Sequence, residues 1–267
     1  MAALVRGQSD SALQGLISGS LDLDKIEYLK RDAHMCGVPY GQIDVDRLLN
    51  SLTVVRTAED ERAVVGITEK GLSALESLLF AKYQMYRNVY WHHAVRSATA
   101  MYKRAVGEAL GTGALDVRGL PRLTDEQLLQ HLAEVAPSDL VTRLRERRLY
   151  KRAFECPAAE LPQDAGEWIA SDRARTAAAE RVLADEMGLR PDELLLDYPE
   201  KTQMLDLDLP VQLRSGEVTR LTSEGLPGVI HLPELSAQLY RSARWLRIFT
   251  ARPVVFTKQR VIELLFA

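Results

Sequence analysis

One short segment of the chain combines the side chains that nucleotide chemistry uses. In SGSLDLDKIEYLKRDAHMCGVPYG, residues Asp24, Tyr28 and Asp32 are spaced i, i+4 and i+8, so they share one stripe of a helix, and Lys25 flanks that stripe. A carboxylate suits a divalent metal, an ammonium suits a phosphate oxygen, and a phenol or second carboxylate can hydrogen-bond a sugar hydroxyl. The same spacing is also typical of a solvated charged helix face with one amphipathic tyrosine, and spacing alone favours that interpretation.

A second cluster lies in FAKYQMYRNVYWHHAV. Lys82, Tyr86, Tyr90 and His93 follow one another at spacings of four, four and three, which is one stripe of a continuous helix. A cation with two phenols could hold a triphosphate and a sugar. A core helix that buries tyrosine rings and keeps their hydroxyls hydrated explains the residues equally well, so both interpretations stay open.

The histidines give no metal motif. His92 and His93 point about 100° apart on a helix, so they cannot chelate one ion together, and neither begins an HExxH pattern. A structural role is the better interpretation for both, as it is for His34, His131 and His231. No GxxxxGK[ST], GxGxxG or GxSxG string occurs, which removes motif support for P-loop, Rossmann and α/β-hydrolase functions.

Mostly helical elements must position these residues. Three- and four-residue hydrophobic spacing predicts helices from Ser9 to about Leu110, including one long helix over Leu72–Ala109, with a β-hairpin near 52–67 around an AEDE turn. Short helices are expected to continue through Phe154, and a further helix to end near Gly188. Short strands and two helices follow, so we predict a mainly α protein with a helical body and a small α+β C-terminal unit. The predicted domains are 1–112, 113–188 and 189–267.

Composition excludes several classes of function. A hydrophobic content of 46% is ordinary for a globular protein, and 34 basic against 37 acidic residues give no global charge for binding nucleic acid or an anionic membrane. The basic run ERRLYKR, around Arg147–Arg152, could bind nucleic acid, but a solvated helix face is the favoured interpretation. Cys36 and Cys156 form neither a disulfide framework nor a zinc motif, and the sequence has no long apolar run. We expect a cytoplasmic protein with no membrane span.

Both clusters also resemble a known family. LDLDKIEYLKRDAHMCGVPYGQIDVDRLL resembles the helix that follows the HD motif in HD-domain phosphohydrolases, where the pattern is roughly [IL]D-x-D-[KR]-x-[DE]-Y-x-x-R-D followed by a small residue and a G-x-x-Y/N turn. KYQMYRNVYWHHAV is similar to the family's [RK]-Y-x-M-Y-x-x-V-Y-x-H segment. The resemblance is specific over about Leu16–Ala109. It includes bacterial HD phosphohydrolases and the animal deoxynucleotide triphosphohydrolase that joins a SAM domain to an HD domain.

The resemblance implies a role for each residue. In the family a histidine, an adjacent His-Asp pair and a later aspartate hold a divalent ion, and Asp24 matches that later aspartate. Lys25 matches a phosphate-contacting lysine, and Lys82 stands where a phosphate-binding arginine often occurs, which keeps the charge but loses bidentate geometry. The sugar contacts are implied for Tyr28, Asp32 and Tyr90. The implied reaction is attack of a metal-activated water on a phosphorus of a deoxynucleotide. The resemblance does not distinguish whether the metal is Mn, Mg, Co, Fe, Ni or Zn.

The sequence departs from the family pattern at the metal ligands. Only 23 residues precede Asp24, none of them is His, and no His-Asp dipeptide occurs anywhere. Because catalytic metal sites need several ligands of mixed nitrogen and oxygen type, we expect the chain by itself to be inactive. A partner chain that supplies the histidines, a gene model cut at an internal Met, and a degenerate noncatalytic nucleotide-binding or assembly module are the three explanations. Homo-oligomers are also expected, since apolar faces of the 72–109 helix would be uncovered.

Overall fold

The computed structural model describes residues 2–19, 21–56, 63–135, 139–162, 165–200, 209–221, 226 and 231–266. These residues group into two compact units, one formed by Met1–Val89 with Thr202–Ala243 and the other by Tyr90–Lys201 with Arg244–Ala267. The prediction of a mainly α protein with a small α+β part is confirmed. The α-helices are α1 (Ala2–Val5), α2 (Gln14–Ser18), α3 (Leu23–Met35), α4 (Val45–Ser51), α5 (Leu72–Met85), α6 (His93–Gly111), α7 (Asp125–Val135), α8 (Leu140–Arg145), α9 (Glu167–Ser171), α10 (Arg173–Glu186), α11 (Leu232–Ala243) and α12 (Lys258–Phe266). The strands are β1 (Leu52–Arg56), β2 (Ala63–Thr68), β3 (Lys151–Pro157), β4 (Leu194–Asp197), β5 (Leu209–Gln212), β6 (Val218–Leu221) and β7 (Trp245–Thr250).

The first unit contains a four-stranded sheet in the order β1-β2-β5-β6. Strands β1 and β2 pair antiparallel, as the hairpin prediction requires, while its AEDE turn lies outside the described residues. Strand β5 runs parallel to β2, with Ile67 opposite Val211, and then pairs antiparallel with β6. Two strands from the C-terminal third of the chain therefore extend the hairpin's sheet.

Helix α3 begins and ends where the local sequence directs it. The side chain of Asp22 caps the helix by accepting a hydrogen bond from the backbone N–H of Lys25 at 2.9 Å. Gly37, with φ of +66°, follows the last turn in the left-handed conformation that glycine adopts without steric cost. Ile26, Leu29 and Ala33 are buried, and their spacing of three and four gives α3 one apolar face.

The single long helix expected over Leu72–Ala109 is wrong. Helix α5 ends at Met85, a π-helical turn occupies Tyr86–Tyr90, and α6 begins at His93. His92 has an extended ψ of 140°, and its Nδ1 accepts a hydrogen bond from the N–H of Ala94 at 3.4 Å, so this residue caps a new helix. The π turn also changes the angular spacing of side chains, so the four-residue stripe is not continuous.

The expectation of helices through Phe154 is also wrong. Helix α8 ends at Arg145, Arg147 has a positive φ of 55°, and the chain continues as strand β3. Phe154 and Cys156 are buried on alternate positions of this strand, a two-residue period that packs as a strand. The basic run around Arg147–Arg152 is therefore a turn leading into a strand and not a helix face.

The second unit contains a three-stranded antiparallel sheet in the order β3-β7-β4. Leu246 and Ile248 of β7 pack in one apolar cluster with Leu183 of α10. Phe249 packs in another with Met101 of α6. Alternate side chains of the central strand thus enter different cores, so α6 and α10 pack against opposite faces of the sheet, and both border its edge strand β4.

Candidate functional site

Asp22 and Lys25 form an ion pair at the start of α3. The ammonium of Lys25 donates to Oδ2 of Asp22 at 2.7 Å and to the backbone carbonyl of Gly19 at 2.8 Å. Both side chains are less than one third exposed. Asp22 therefore orients the lysine that the sequence assigned to phosphate, and it was missed as a site residue. The sequence feature that could have identified Asp22 is an aspartate at the N-cap position of a predicted helix, three residues before the lysine.

Lys82 is a buried cation near this pair. It lies on α5 with only 9% of its surface exposed. The pKa of Lys82 is lowered to about 8, chiefly by burial and also by the nearby charge of Lys25, while the charge of Asp22 opposes the shift. Within the part of the chain that the structure describes, Lys82 makes no hydrogen bond or ion pair. An ammonium of this kind is costly without a counter-charge, and an anion would stabilise it.

Two phenols connect α3 to the residues after α5. Tyr28 and Tyr86 share a hydrogen bond, and burial raises the pKa of both hydroxyls above its ordinary value. The negative charges of Asp22, Asp24 and Asp32 raise the pKa of Tyr28 further. Both hydroxyls therefore stay protonated at neutral pH and can donate hydrogen bonds to a sugar or phosphate oxygen.

The two outer carboxylates of the stripe are less enclosed. Asp24 is exposed in the first turn of α3, and Asp32 is half-buried with Arg31 at 3.4 Å. Among the described residues, no group of three or more His, Cys, Asp or Glu side chains could hold a metal ion. The residues present do not by themselves fit the divalent ion that the resemblance implies, and Asp24 as a metal ligand stays a prediction.

The structure brings together part of the predicted site. Asp24, Lys25, Tyr28, Asp32 and Lys82 all belong to the first unit, together with Asp22 and Tyr86. Tyr90 is half-buried and is the first residue of the second unit, so its predicted contact with a sugar stays a prediction.

His92 and His93 have ring centroids 4.1 Å apart, and burial together with the charge of His92 lowers the pKa of His93.

A family model supplies the relationship to known proteins. The model described as "HD associated region" matches residues 43–230, which is well over half of the chain. The chain belongs to this family. The matched residues of this HD-associated region include Lys82, Tyr86 and Tyr90, whereas helix α3 with Asp24, Lys25, Tyr28 and Asp32 precedes the match.

Individual relatives of the HD-associated region are longer proteins. An uncharacterized protein of Methanocaldococcus jannaschii is 40% identical over 136 residues, which cover 51% of this chain and 30% of that protein. An uncharacterized protein of Bacillus subtilis is 39% identical over 94 residues, covering 35% of this chain and 20% of that protein. The matched part therefore spans less than a third of the length of these curated relatives.

Solved structures share the fold. A phosphohydrolase from Bacteroides thetaiotaomicron superposes with a TM-score of 0.62 at 16% identity, covering 94% of this chain and 66% of the other. A hypothetical protein from Aquifex aeolicus gives the same TM-score at 22% identity, covering 94% and 61%. Family and fold together make this an HD-domain-related protein. Within the described residues, no helix is both long and apolar enough to cross a membrane.

Proposed function

We propose that this HD-associated region contributes phosphate and sugar contacts to a nucleotide phosphohydrolase that acts on dNTPs. The observation that carries the proposal is Lys82, a buried ammonium beside Lys25 and without a hydrogen-bonded partner among the described residues. Two cations held close together repel each other, and a polyphosphate would remove that repulsion while satisfying both.

The neighbouring groups suit the rest of a nucleotide. Tyr28 and Tyr86 are protonated phenols, which can donate to sugar hydroxyls or accept from them. Asp22 holds the ammonium of Lys25 in one place, so less side-chain freedom is lost when a phosphate binds. The proposed roles are phosphate binding by Lys25 and Lys82, and sugar binding by Tyr28, Asp32 and Tyr90.

The proposal assigns no catalytic step to the described residues alone. Since they hold no complete metal site, hydrolysis in this proposal requires the His and His-Asp ligands from outside this sequence, with Asp24 as the contributed carboxylate. The competing function is a noncatalytic nucleotide-binding or assembly module, for which the same Lys25 and Lys82 contacts would suffice.

Binding of nucleotide is the first test. Titration calorimetry of the chain with dATP, dGTP, dCTP and dTTP should show saturable binding, and Lys82→Met should weaken it at least ~10-fold because a buried phosphate contact is lost. Lys30→Met, an exposed lysine of α3, is the matched control and should leave affinity unchanged. No dNTP binding, or equal affinity for the Lys82→Met protein, would contradict the phosphate assignment.

Hydrolysis then separates the two functions. Each dNTP is incubated with Mn²⁺, Mg²⁺ or Co²⁺ and this chain, alone and mixed with a protein carrying the His and His-Asp ligands. Activity in the mixture alone would support a shared active site. Binding without activity in either sample would support the noncatalytic module.

A further inference from the structure

A cavity of about 450 Å³ lies within the second unit, between α6, α9, α10 and strand β4. Its volume falls in the range of small-molecule sites. The apolar part of its lining comes from small or aliphatic side chains, among them Ala100, Ile169, Ala177 and Leu195. Alanines on the facing helices α6 and α10 leave space that larger side chains would fill.

The charged part of the cavity lining consists of four basic and three acidic residues. Arg96, Lys103, Arg104 and Arg173 line the cavity together with Glu108, Glu180 and Asp197. Nε of Arg96 donates to Asp197 at 2.9 Å, and Arg104 is bound to Glu180. Beyond these two acid–base pairs, Lys103, Arg173 and the carboxylate of Glu108 set the charge that the cavity presents.

Arg173, the exposed first residue of α10, has no hydrogen-bonded partner in the described part of the chain. Its charge also acts on the buried Glu180, whose pKa it lowers against the effect of burial. Lys103 differs, because Glu200 lies 3.8 Å away and both side chains are largely exposed. A guanidinium has five N–H donors in a fixed plane that matches the two oxygens of a carboxylate or phosphate.

The backbone of α6 contacts this guanidinium at Gly107. Gly107 is buried in the interior of α6, where glycine costs about 0.5–1 kcal/mol relative to alanine. The three atoms nearest to a Cβ added at Gly107 are all in the Arg173 guanidinium, and all would clash with it. The absence of a side chain at Gly107 therefore allows the guanidinium to lie directly against the helix backbone at the cavity.

We propose that this cavity is a binding site for a small organic anion, whose carboxylate or phosphate group pairs with Arg173 and whose apolar part contacts Ala100, Ile169 and Leu195. The site is distinct from the Lys25 and Lys82 cluster, since all of its lining residues belong to the other unit. It therefore does not depend on the function proposed above.

Calorimetric titration with benzoate and with phenyl phosphate tests the proposal, and benzamide serves as the neutral analogue. We expect saturable binding of at least one anion in the millimolar range or tighter and none of benzamide. Arg173→Gln should weaken binding at least ~10-fold, because the charged hydrogen bonds are lost. Ala177→Leu should weaken it similarly by filling the cavity, and Gly107→Ala by displacing the guanidinium.

The matched control is Arg181→Gln, which removes the same charge from a position of the same helix outside the cavity lining and should leave affinity unchanged within about 2-fold. Thermal unfolding of each variant confirms that the protein is folded. Preference for benzoate or phenyl phosphate identifies the anionic group. Lack of saturable binding by both anions, equal binding of benzamide, or full affinity in the folded Arg173→Gln protein would each overturn the proposal.

Discussion

Asp22 accepts two hydrogen bonds from one residue, the backbone N–H of Lys25 at 2.9 Å and the Lys25 ammonium at 2.7 Å. One carboxylate thus both caps α3 and fixes the direction of the lysine that the family resemblance assigns to phosphate. The start of the helix and the candidate site are therefore stabilised by the same side chain.

Replacing Asp22 should separate these two contributions. Asp22→Ala should lower the free energy of unfolding by about 1 kcal/mol, because the backbone N–H of Lys25 loses its acceptor. Asp22→Asn should retain most of that stability, since asparagine also caps helices, yet it should weaken nucleotide binding by releasing Lys25. Urea unfolding and dNTP titration measure the two effects. Equal destabilisation by both substitutions would contradict the capping role.

The depressed pKa of Lys82 predicts an unusual pH dependence of ligand binding. The ammonium is charged below about pH 8 and loses its proton as pH rises through that value. Affinity for a dNTP should therefore fall between about pH 7.5 and pH 9, whereas an unperturbed lysine would retain its charge there. Lys82→Arg stays charged throughout, so its affinity should remain nearly constant over the same range. A decline of equal size in the Lys82→Arg protein would assign the effect to another group.

Glu180 predicts a pH dependence of stability in the second unit. It is buried, and burial raises its pKa to about 7 despite the opposing charge of Arg104 and the N–H of Leu196. The folded protein thus holds a proton that the unfolded chain releases near pH 4.5, so the stabilisation from Glu180 is greatest at low pH and is lost as pH rises through about 7.

Glu180→Gln should remove that dependence. As the pH rises from about 5 to about 7.5, the free energy of unfolding of the native protein should fall relative to that of Glu180→Gln. Urea unfolding at several pH values measures it, and Glu134→Gln, at an exposed position of α7, is the control. A constant difference across this range would show that Glu180 does not titrate there.

Substitution of Gly66 tests the close packing of β2 against β5. A Cβ at this position would lie 2.5 Å from the backbone carbonyl oxygen of Pro210 in β5. Gly66→Ala should therefore lower the free energy of unfolding by about 1–3 kcal/mol through overpacking. Gly111→Ala, where an added Cβ meets no atom within 4 Å, should leave stability nearly unchanged. Thermal unfolding compares them, and a neutral Gly66→Ala would argue against the close approach of β2 and β5.

The sequence by itself determined the local features of this protein. The apolar spacing of Ile26, Leu29 and Ala33 and the cap at Asp22 specify α3, and β-branched runs specify the hairpin strands, because these signals act between near neighbours. The i, i+4, i+8 stripe of Asp24, Tyr28 and Asp32 follows from α3 alone. The resemblance to HD-domain proteins also came from short segments, of which KYQMYRNVYWHHAV lies within the residues that the family model matches.

Only the tertiary structure decided what depends on distant parts of the chain. The pairing of Ile67 with Val211 joins strands far apart in sequence, and nothing local to either strand specifies its partner. The pKa of Lys82 depends on burial and on charges from another helix. The sequence did not predict the break between α5 and α6, because each residue at the break is compatible with a helix. Only the backbone geometry shows that His92 caps α6. The contact between the Arg173 guanidinium and Gly107 likewise exists only because the tertiary structure places the start of α10 beside α6.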